Sequence, residues 1–236
     1  MPRDPRWLSP DDPPTALPSP GDALREPNGL VAVGGALTPD WLMHAYRQGI
    51  FPWYSEGEPI LWWSPDPRGV LLPARFKTSR SLRQTVRSGR YETRLNTAFD
   101  AVVEGCAGPR AHATGTWITE AMRLAYGVLH TAGHAHSIET WQDGVLVGGL
   151  YGVRVGGVFC GESMFSRSPD ASKVALLRLV TEADRVGIEL IDCQMPTAHL
   201  LTLGAETLPR DAFLEALRGL RERPVRPLGG LGEPNP

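Results

Sequence analysis

Between Val158 and Leu200 the chain passes from apolar alternation to helical periodicity and back to alternation. VFCGESMF reads as a strand, and strand side chains two apart point the same way, so Cys160, Glu162 and Met164 are predicted to share one face. From Lys173 to Val186 the apolar positions Val174, Leu177, Val180 and Ala183 recur at helical spacing, with Asp170 or Ser172 to cap the start and Gly187 to stop it. GIELIDCQ reads as a second strand, with Asp192 and Gln194 on one face and Ile191 and Cys193 on the other. Strand, helix, strand predicts a right-handed crossover between parallel strands. Glu162 and the Asp192/Gln194 pair then leave neighbouring strands near their carboxyl ends, where open sheets commonly hold a ligand crevice. A single carboxylate there reads more simply as a loop cap or a partner for a surface arginine; two acids and an amide together favour a site.

The same patterning places the other elements. Residues 1–29 carry eight prolines, which excludes an α-helix and predicts an extended N-terminal arm laid against a surface. Residues 30–73 are expected to form a small N-terminal unit. In it Thr38-Pro39-Asp40 starts a helix with Trp41, Ala45 and Tyr46 on its apolar side, Gly49 ends it, and a loop dense in tryptophan and proline follows. Residues 74–222 are expected to form the main domain, opening on a helix with Leu82 and Val86 buried and Gly89 at its end. Next come a strand or two, a helix from Ala98 to Cys106, and a helix with Ile118, Met122, Ala125 and Leu129 in one stripe, capped by Thr119 and ended by Gly133. HSIETWQ, VLVGGLYGVRV and VFCGESMF are joined at Asp143-Gly144 and Gly156-Gly157, which predicts an antiparallel meander. A last helix spans Asp211 to Leu220, and residues 223–236 read as a disordered tail.

Composition narrows the class without naming a chemistry. A chain of 236 residues with 42% hydrophobic content can bury a full core, and a formal charge of -2 gives no global reason to expect a nucleic-acid partner. Cys106, Cys160 and Cys193 show no CxxC pairing, which suits a reducing cytoplasm. No apolar run reaches the length of a membrane span and the start lacks the apolar segment of a signal peptide, so a cytoplasmic protein without a membrane partner is expected.

Charge and aromaticity are distributed unevenly, however. Arg80, Arg83, Arg87 and Arg90 follow one another at steps of three, four and three, which makes a one-sided basic stripe on a helix. Such a stripe is often a solvated face, but charges of one sign repel and are relieved by an anion, so a phosphate backbone is the favoured partner. Trp53, Trp62 and Trp63 read singly as core or loop anchors; on a proline-stiffened loop they also offer a flat platform for a nucleobase. His134 and His136 stand two apart on a strand, but no second pair of ligands completes a zinc site, and they are read as strand-end hydrogen bonders.

The order helix, three-stranded meander, helix, parallel strand resembles the acyltransferase fold of the N-acetyltransferases. An α+β fold is therefore expected, with a GNAT-like mixed sheet flanked by helices and a smaller N-terminal α/β domain. Where acetyl-CoA users of that fold carry a glycine-rich pyrophosphate loop, this chain has SRSPDASK, which argues against a CoA donor.

EPNGLVAVGGALTPDWL, YRQGIFPW, ILWWSPDPRGV, GTWIT, GHAHSIE, GGLYGV, FCGESMFSR, DASKVALL and IDCQ together resemble the leucyl/phenylalanyl-tRNA–protein transferase family, from about Ala23 to Leu217. The resemblance implies transfer of leucine or phenylalanine from leucyl-tRNA or phenylalanyl-tRNA, with methionyl-tRNA as a further donor, to the N-terminal amine of proteins beginning with Lys or Arg. This marks them for N-end-rule degradation. It implies no cofactor and no metal. A monomer is expected, though nothing in the sequence fixes the oligomeric state. Carried over by motif, Trp53 and Trp117 sandwich the terminal adenine, and Leu150, Phe159, Met164 and Ile191 line the pocket for the aminoacyl side chain. Glu162, Asp192 and Gln194 form the catalytic and amine-binding set, and the arginine stripe meets the acceptor stem. In this reading Gln194 orients the amine and Asp192 holds Gln194, while Glu162 binds either the donor's ammonium or the acceptor's basic side chain. Thr197 stands where the family commonly has asparagine. Two alternatives stay open: an aminoacyl-tRNA-dependent peptidyltransferase of cell-wall precursors, and a tRNA-binding module without catalysis.

Overall fold

Proline and tryptophan shape the first part of the chain. In the computed structural model, which describes residues 4–108 and 118–229, the proline-rich segment forms no α-helix. It contributes β1 (Arg6–Leu8) and two 3-10 turns, each with proline at its first position, and it is tied down by the buried Leu8, Leu17 and Pro20. β1 runs parallel to β2 (Leu30–Gly34). α1 (Pro39–Arg47) begins where Thr38 Oγ1 accepts the N–H of Trp41. β3 (Phe51–Pro52) and β4 (Leu61–Trp63) complete a four-stranded sheet in the order β1-β2-β4-β3. Trp62 is wholly buried, stacks on Trp41 at 5.9 Å and donates its indole N–H to Gly34 O, so it anchors this unit and offers no surface for a ligand.

The remaining elements build a seven-stranded mixed sheet. They are β5 (Arg68–Leu71), α2 (Arg80–Arg87), β6 (Glu92–Leu95), α3 (Phe99–Ala107), α4 (Glu120–Thr131), β7 (Ala135–Gln142), β8 (Val145–Val155), β9 (Val158–Ser166), α5 (Ala171–Val186), β10 (Leu190–Gln194), α6 (Ala198–Thr202), β11 (Glu206–Leu208) and α7 (Arg210–Leu220). The strand order is β11-β5-β10-β9-β8-β7-β6. β7, β8 and β9 form the expected meander, turning at Asp143-Gly144, where both residues have positive φ (50° and 76°) as a two-residue hairpin of this hand requires. α5 carries the chain to β10, which pairs parallel to β9 with Asp192 opposite Cys160. The fold is α+β, a mixed sheet flanked by helices and joined to a smaller sheet-and-helix unit. Among the described residues no helix is long and apolar enough to cross a membrane.

Two apolar clusters cover the faces of the large sheet. One joins α1, α3, α4 and α7 to the small unit, and the other lies under α5. The buried stripe of α5 comprises the expected Val174 and Ala183 together with Ala175, Leu176, Leu179 and Val186; the expected Leu177 and Val180 are only half-buried. The helix starts at Ala171, packed so close to β8 that a Cβ on Gly148 would fall 2.5 Å from the Cβ of Ala171, and this approach sets which side faces the sheet. On α2, Leu82 is buried but Val86 is 46% exposed, because this two-turn helix touches the body along a single line. The short strands β5 and β11 carry too little alternation to be legible in the sequence.

The disorder expected from residue 223 onward does not hold over 223–229. Leu228 is buried in the cluster under α5, its carbonyl accepts from Asn96 Nδ2 at 2.8 Å, and Arg154 Nη1 donates to Arg226 O at 2.6 Å. A polar, proline-containing tail is thus fixed by one apolar anchor and borrowed hydrogen bonds. Leu228→Ala is expected to lower stability by about 2 kcal/mol, the low end for emptying a buried leucine site, as read from urea unfolding.

Candidate active site

A local irregularity on β9 sets the site. Tyr151 on β8 pairs with Ser163 and Gly152 pairs with Gly161, so Glu162 is an extra residue in the ladder, a β-bulge. Cys160 and Glu162 therefore look toward the cluster containing α1 and α4, while Met164 is returned to the opposite face, across from Leu150. The three-residue face expected from simple alternation breaks at the bulge. Glu162 Oε2 accepts the hydroxyl of Tyr126 on α4 at 2.8 Å, and that hydroxyl lies 2.5 Å from the hydroxyl of Tyr46 on α1. Oε1 is buried with no hydrogen-bond partner. Burial pushes the Glu162 carboxyl up to about 7, with the charge of Asp192 adding to the rise, while the tyrosine hydroxyls and Arg68 oppose it.

On the neighbouring strand the second acid has a different environment. Arg68, at the start of β5, donates from Nε to Asp192 Oδ1 at 2.8 Å and from Nη2 to Oδ2 at 2.7 Å, and both side chains are 1% exposed. The guanidinium lies over the rings of Phe51 and Phe213, at 4.9 and 4.6 Å. Asp192 Oδ1 also accepts the backbone N–H of Gln194 at 3.0 Å. Gln194 has φ +53°, and the pairing with β5 shifts register between Asp192 and Gln194. Alternation ends there: Asp192 is turned under the sheet toward Arg68, and Gln194 is brought into the cleft described next, so the two do not present one shared face.

A cleft of about 910 Å³ opens between the small unit, the middle of β9 and the carboxyl end of β10, so Glu162 enters it from mid-strand rather than from the expected strand end. Glu162 and Gln194 line it, as do Leu150, Phe159, Met164 and Ile191, joined by Leu176 and Leu179 of α5. Phe51, Trp53 and Trp63 form the wall contributed by the small unit. Trp53 is 47% exposed, held by an edge contact with Trp63 at 6.0 Å and by its carbonyl, which accepts the Trp63 indole N–H at 2.7 Å. Trp117, the second expected indole, lies outside the described residues. Thr197 also borders the cleft and caps α6, its Oγ1 accepting the N–H of Leu200.

The remaining candidates lie apart from the cleft. Arg80, Arg83, Arg87 and Arg90 are exposed on and just after α2, which packs on α5 and is tied to its start where Thr85 Oγ1 donates to Asp170. His136 bonds Asn96 and is lowered to about 4 by burial and by the nearby Arg154, and His134 is exposed. Among the described residues no group of three or more His, Cys, Asp or Glu is placed to hold a metal ion. The sequence reading missed Arg68, Tyr46 and Tyr126 as parts of this site. Only Arg68 left a signal, a charge opening the apolar run RGVLL. The tyrosines lie on apolar helix faces, where they read as ordinary core.

Solved structures with a resembling arrangement include a GCN5-related N-acetyltransferase from Kribbella flavida, at 12% identity and a TM-score of 0.35, covering 73% of this chain and 61% of that one. The sequence comparisons are much stronger. The family model described as leucyl/phenylalanyl-tRNA protein transferase matches residues 70–218, and that of its N-terminal domain matches residues 35–66. A leucyl/phenylalanyl-tRNA–protein transferase of Aromatoleum aromaticum is 57% identical over 89% of this chain and 88% of its own length. One of Stutzerimonas stutzeri is 56% identical over 92% and 96%. With both family domains matched and identity above one half over most of the chain, this chain belongs to the leucyl/phenylalanyl-tRNA–protein transferase family.

Proposed function

We propose that this protein transfers a leucyl or phenylalanyl group from its tRNA to the N-terminal amine of a protein beginning with Lys or Arg, marking that protein for degradation. The observation that carries the reading is the convergence in one cleft of an exposed indole, an apolar socket, a buried carboxyl and a carboxamide. Trp53 supplies a π face for the terminal adenine, and the socket of Leu150, Phe159, Met164 and Ile191 suits a branched or aromatic side chain but gives no partner to a charged one.

In the reaction the amine nitrogen attacks the ester carbonyl, an amide bond forms, the bond to the ribose oxygen breaks, and a proton passes to that oxygen. The transfer is downhill, so positioning carries most of the catalysis. An α-amine with a pKa near 7.7 to 8 is roughly one-tenth free base at neutral pH. Gln194 orients the amine through its carboxamide. Glu162, with its carboxyl held near 7, is matched to exchange a proton with the amine and, when ionised, to attract a cationic group. The exposed arginines of α2 meet the acceptor-stem phosphates.

Transfer of radiolabelled leucine from tRNA to an arginine-headed peptide tests the assignment. Gln194→Ala is expected to lower kcat about a hundredfold, as removal of one preorganised polar group does, and wild-type turnover would overturn its role. Trp53→Ala is expected to raise KM for aminoacyl-tRNA about tenfold because the adenine no longer stacks. Reversing Arg83 and Arg87 to glutamate is expected to weaken tRNA binding and flatten its dependence on salt, by about 0.7 to 0.9 in logarithmic slope for each phosphate that is no longer neutralised.

Glu162 also predicts a pH dependence of stability. Below its ordinary value of 4.5 the carboxyl is protonated folded or unfolded; between 4.5 and about 7 the unfolded chain releases the proton that the folded chain keeps. Folding is thereby weakened progressively as pH rises through that window, and the penalty is constant above it. Glu162→Gln removes this penalty. Its stability relative to the parent protein should rise across the window and then level off, as read from urea midpoints on both sides of it.

A further inference from the structure

Gln194 has the left-handed backbone conformation that a residue with a Cβ rarely adopts, φ +53°, so something must hold it there. The Met195 N–H closes the turn on Cys193 O at 2.6 Å and the Gln194 carboxamide reaches Asp192 O at 3.4 Å, while the side-chain hold is a carboxylate: Asp192 Oδ1 accepts the Gln194 N–H at 3.0 Å. That carboxylate is itself fixed at two points by the Arg68 fork, at 2.8 and 2.7 Å. The fork has no freedom of its own, being 1% exposed and packed between Phe51 of β3 and Phe213 of α7. The next residue serves the same turn. Gly69 pairs with Gln194, and a Cβ there would fall 2.8 Å from the nitrogen of Pro196 and 2.9 Å from the carbonyl carbon of Met195. β5 thus presents two consecutive residues to the turn, one pinning the carboxylate and one leaving room for the backbone.

A fully buried ion pair adds little stability over apolar packing of the same volume; what it supplies is orientation, and a planar two-point fork supplies more than a point charge. We infer that Arg68 is the positioning residue for Gln194: its fork fixes the Asp192 carboxylate, which fixes the Gln194 backbone and so aims the carboxamide into the cleft. This rests on the proposed contact between Gln194 and the attacking amine.

The test is a double-mutant cycle on turnover, with rates normalised to folded protein. Arg68→Lys keeps the charge and removes the fork; it should lower kcat about 10- to 100-fold, as misplacement of a reacting group does, while KM for leucyl-tRNA stays within about twofold. In a Gln194→Ala background the same substitution should cost no further turnover, because the arginine acts only through the glutamine. Full additivity of the two effects would overturn the inference and leave the role of Gln194 intact. Parent-level turnover in Gln194→Ala alone would remove both. Should Arg68→Lys not fold, Asp192→Glu replaces it in the cycle, since it keeps the charge beside Glu162 and displaces the carboxylate from the fork and the Gln194 N–H; the same non-additivity is expected and additivity again overturns the inference.

Discussion

The structure depends on how two carboxylates are accommodated in the low-dielectric seam between adjacent parallel strands. Asp192 and Glu162 stand on β10 and β9, near enough that each charge opposes the other. Ionised groups taken out of water need a partner or give up their charge. Asp192 has a full partner, the two-point guanidinium of Arg68. Glu162 has a phenol that donates a hydrogen bond and carries no charge, so burial dominates and its carboxyl is raised to about 7. The same chemical group therefore serves as an anchor on one strand and as a titrating group on the next.

Two breaks in strand regularity convert this seam into a site. The bulge at Glu162 lets Cys160 and Glu162 face α4 while Met164 faces the socket, and the left-handed turn at Gln194 separates its side chain from that of Asp192. A perfectly regular pleat would have kept each set together. The bulge lies in the middle of β9, just past its pairing with β10, and the turn lies at the carboxyl end of β10, so the polar groups they redirect reach one cleft. The small unit closes it from the other side: β3 brings Phe51, the loop after it brings Trp53, and α1 reaches behind to place Tyr46 against Tyr126. In the proposed reaction this division suits a long donor, with its reactive end in the cleft and its charged backbone along α2.

Much of the architecture is legible in the chain alone, because the forces that set it are local. Thr38 and Thr119 cap their helices with their own hydroxyls, and Asp143-Gly144 turns the meander. The period of apolar positions is enough to order helix, meander, helix and parallel strand. That Leu150, Phe159, Met164, Ile191, Glu162 and Gln194 come together at one cleft was likewise legible, through strand position and the run of family motifs. Relations between residues distant in the chain are another matter, and packing in three dimensions settled them. Arg68 meets Asp192 across 124 positions and Tyr46 meets Tyr126 across 80. The rotation of α5, the exposure of Val86, the docking of Leu228 and the bulge that turns Met164 away follow in the same way from neighbouring elements. Periodicity states that a side chain is buried or shares a face; which charge, ring or hydroxyl it meets there depends on the fold as a whole, because burial energy has no direction and hydrogen bonds and ion pairs do.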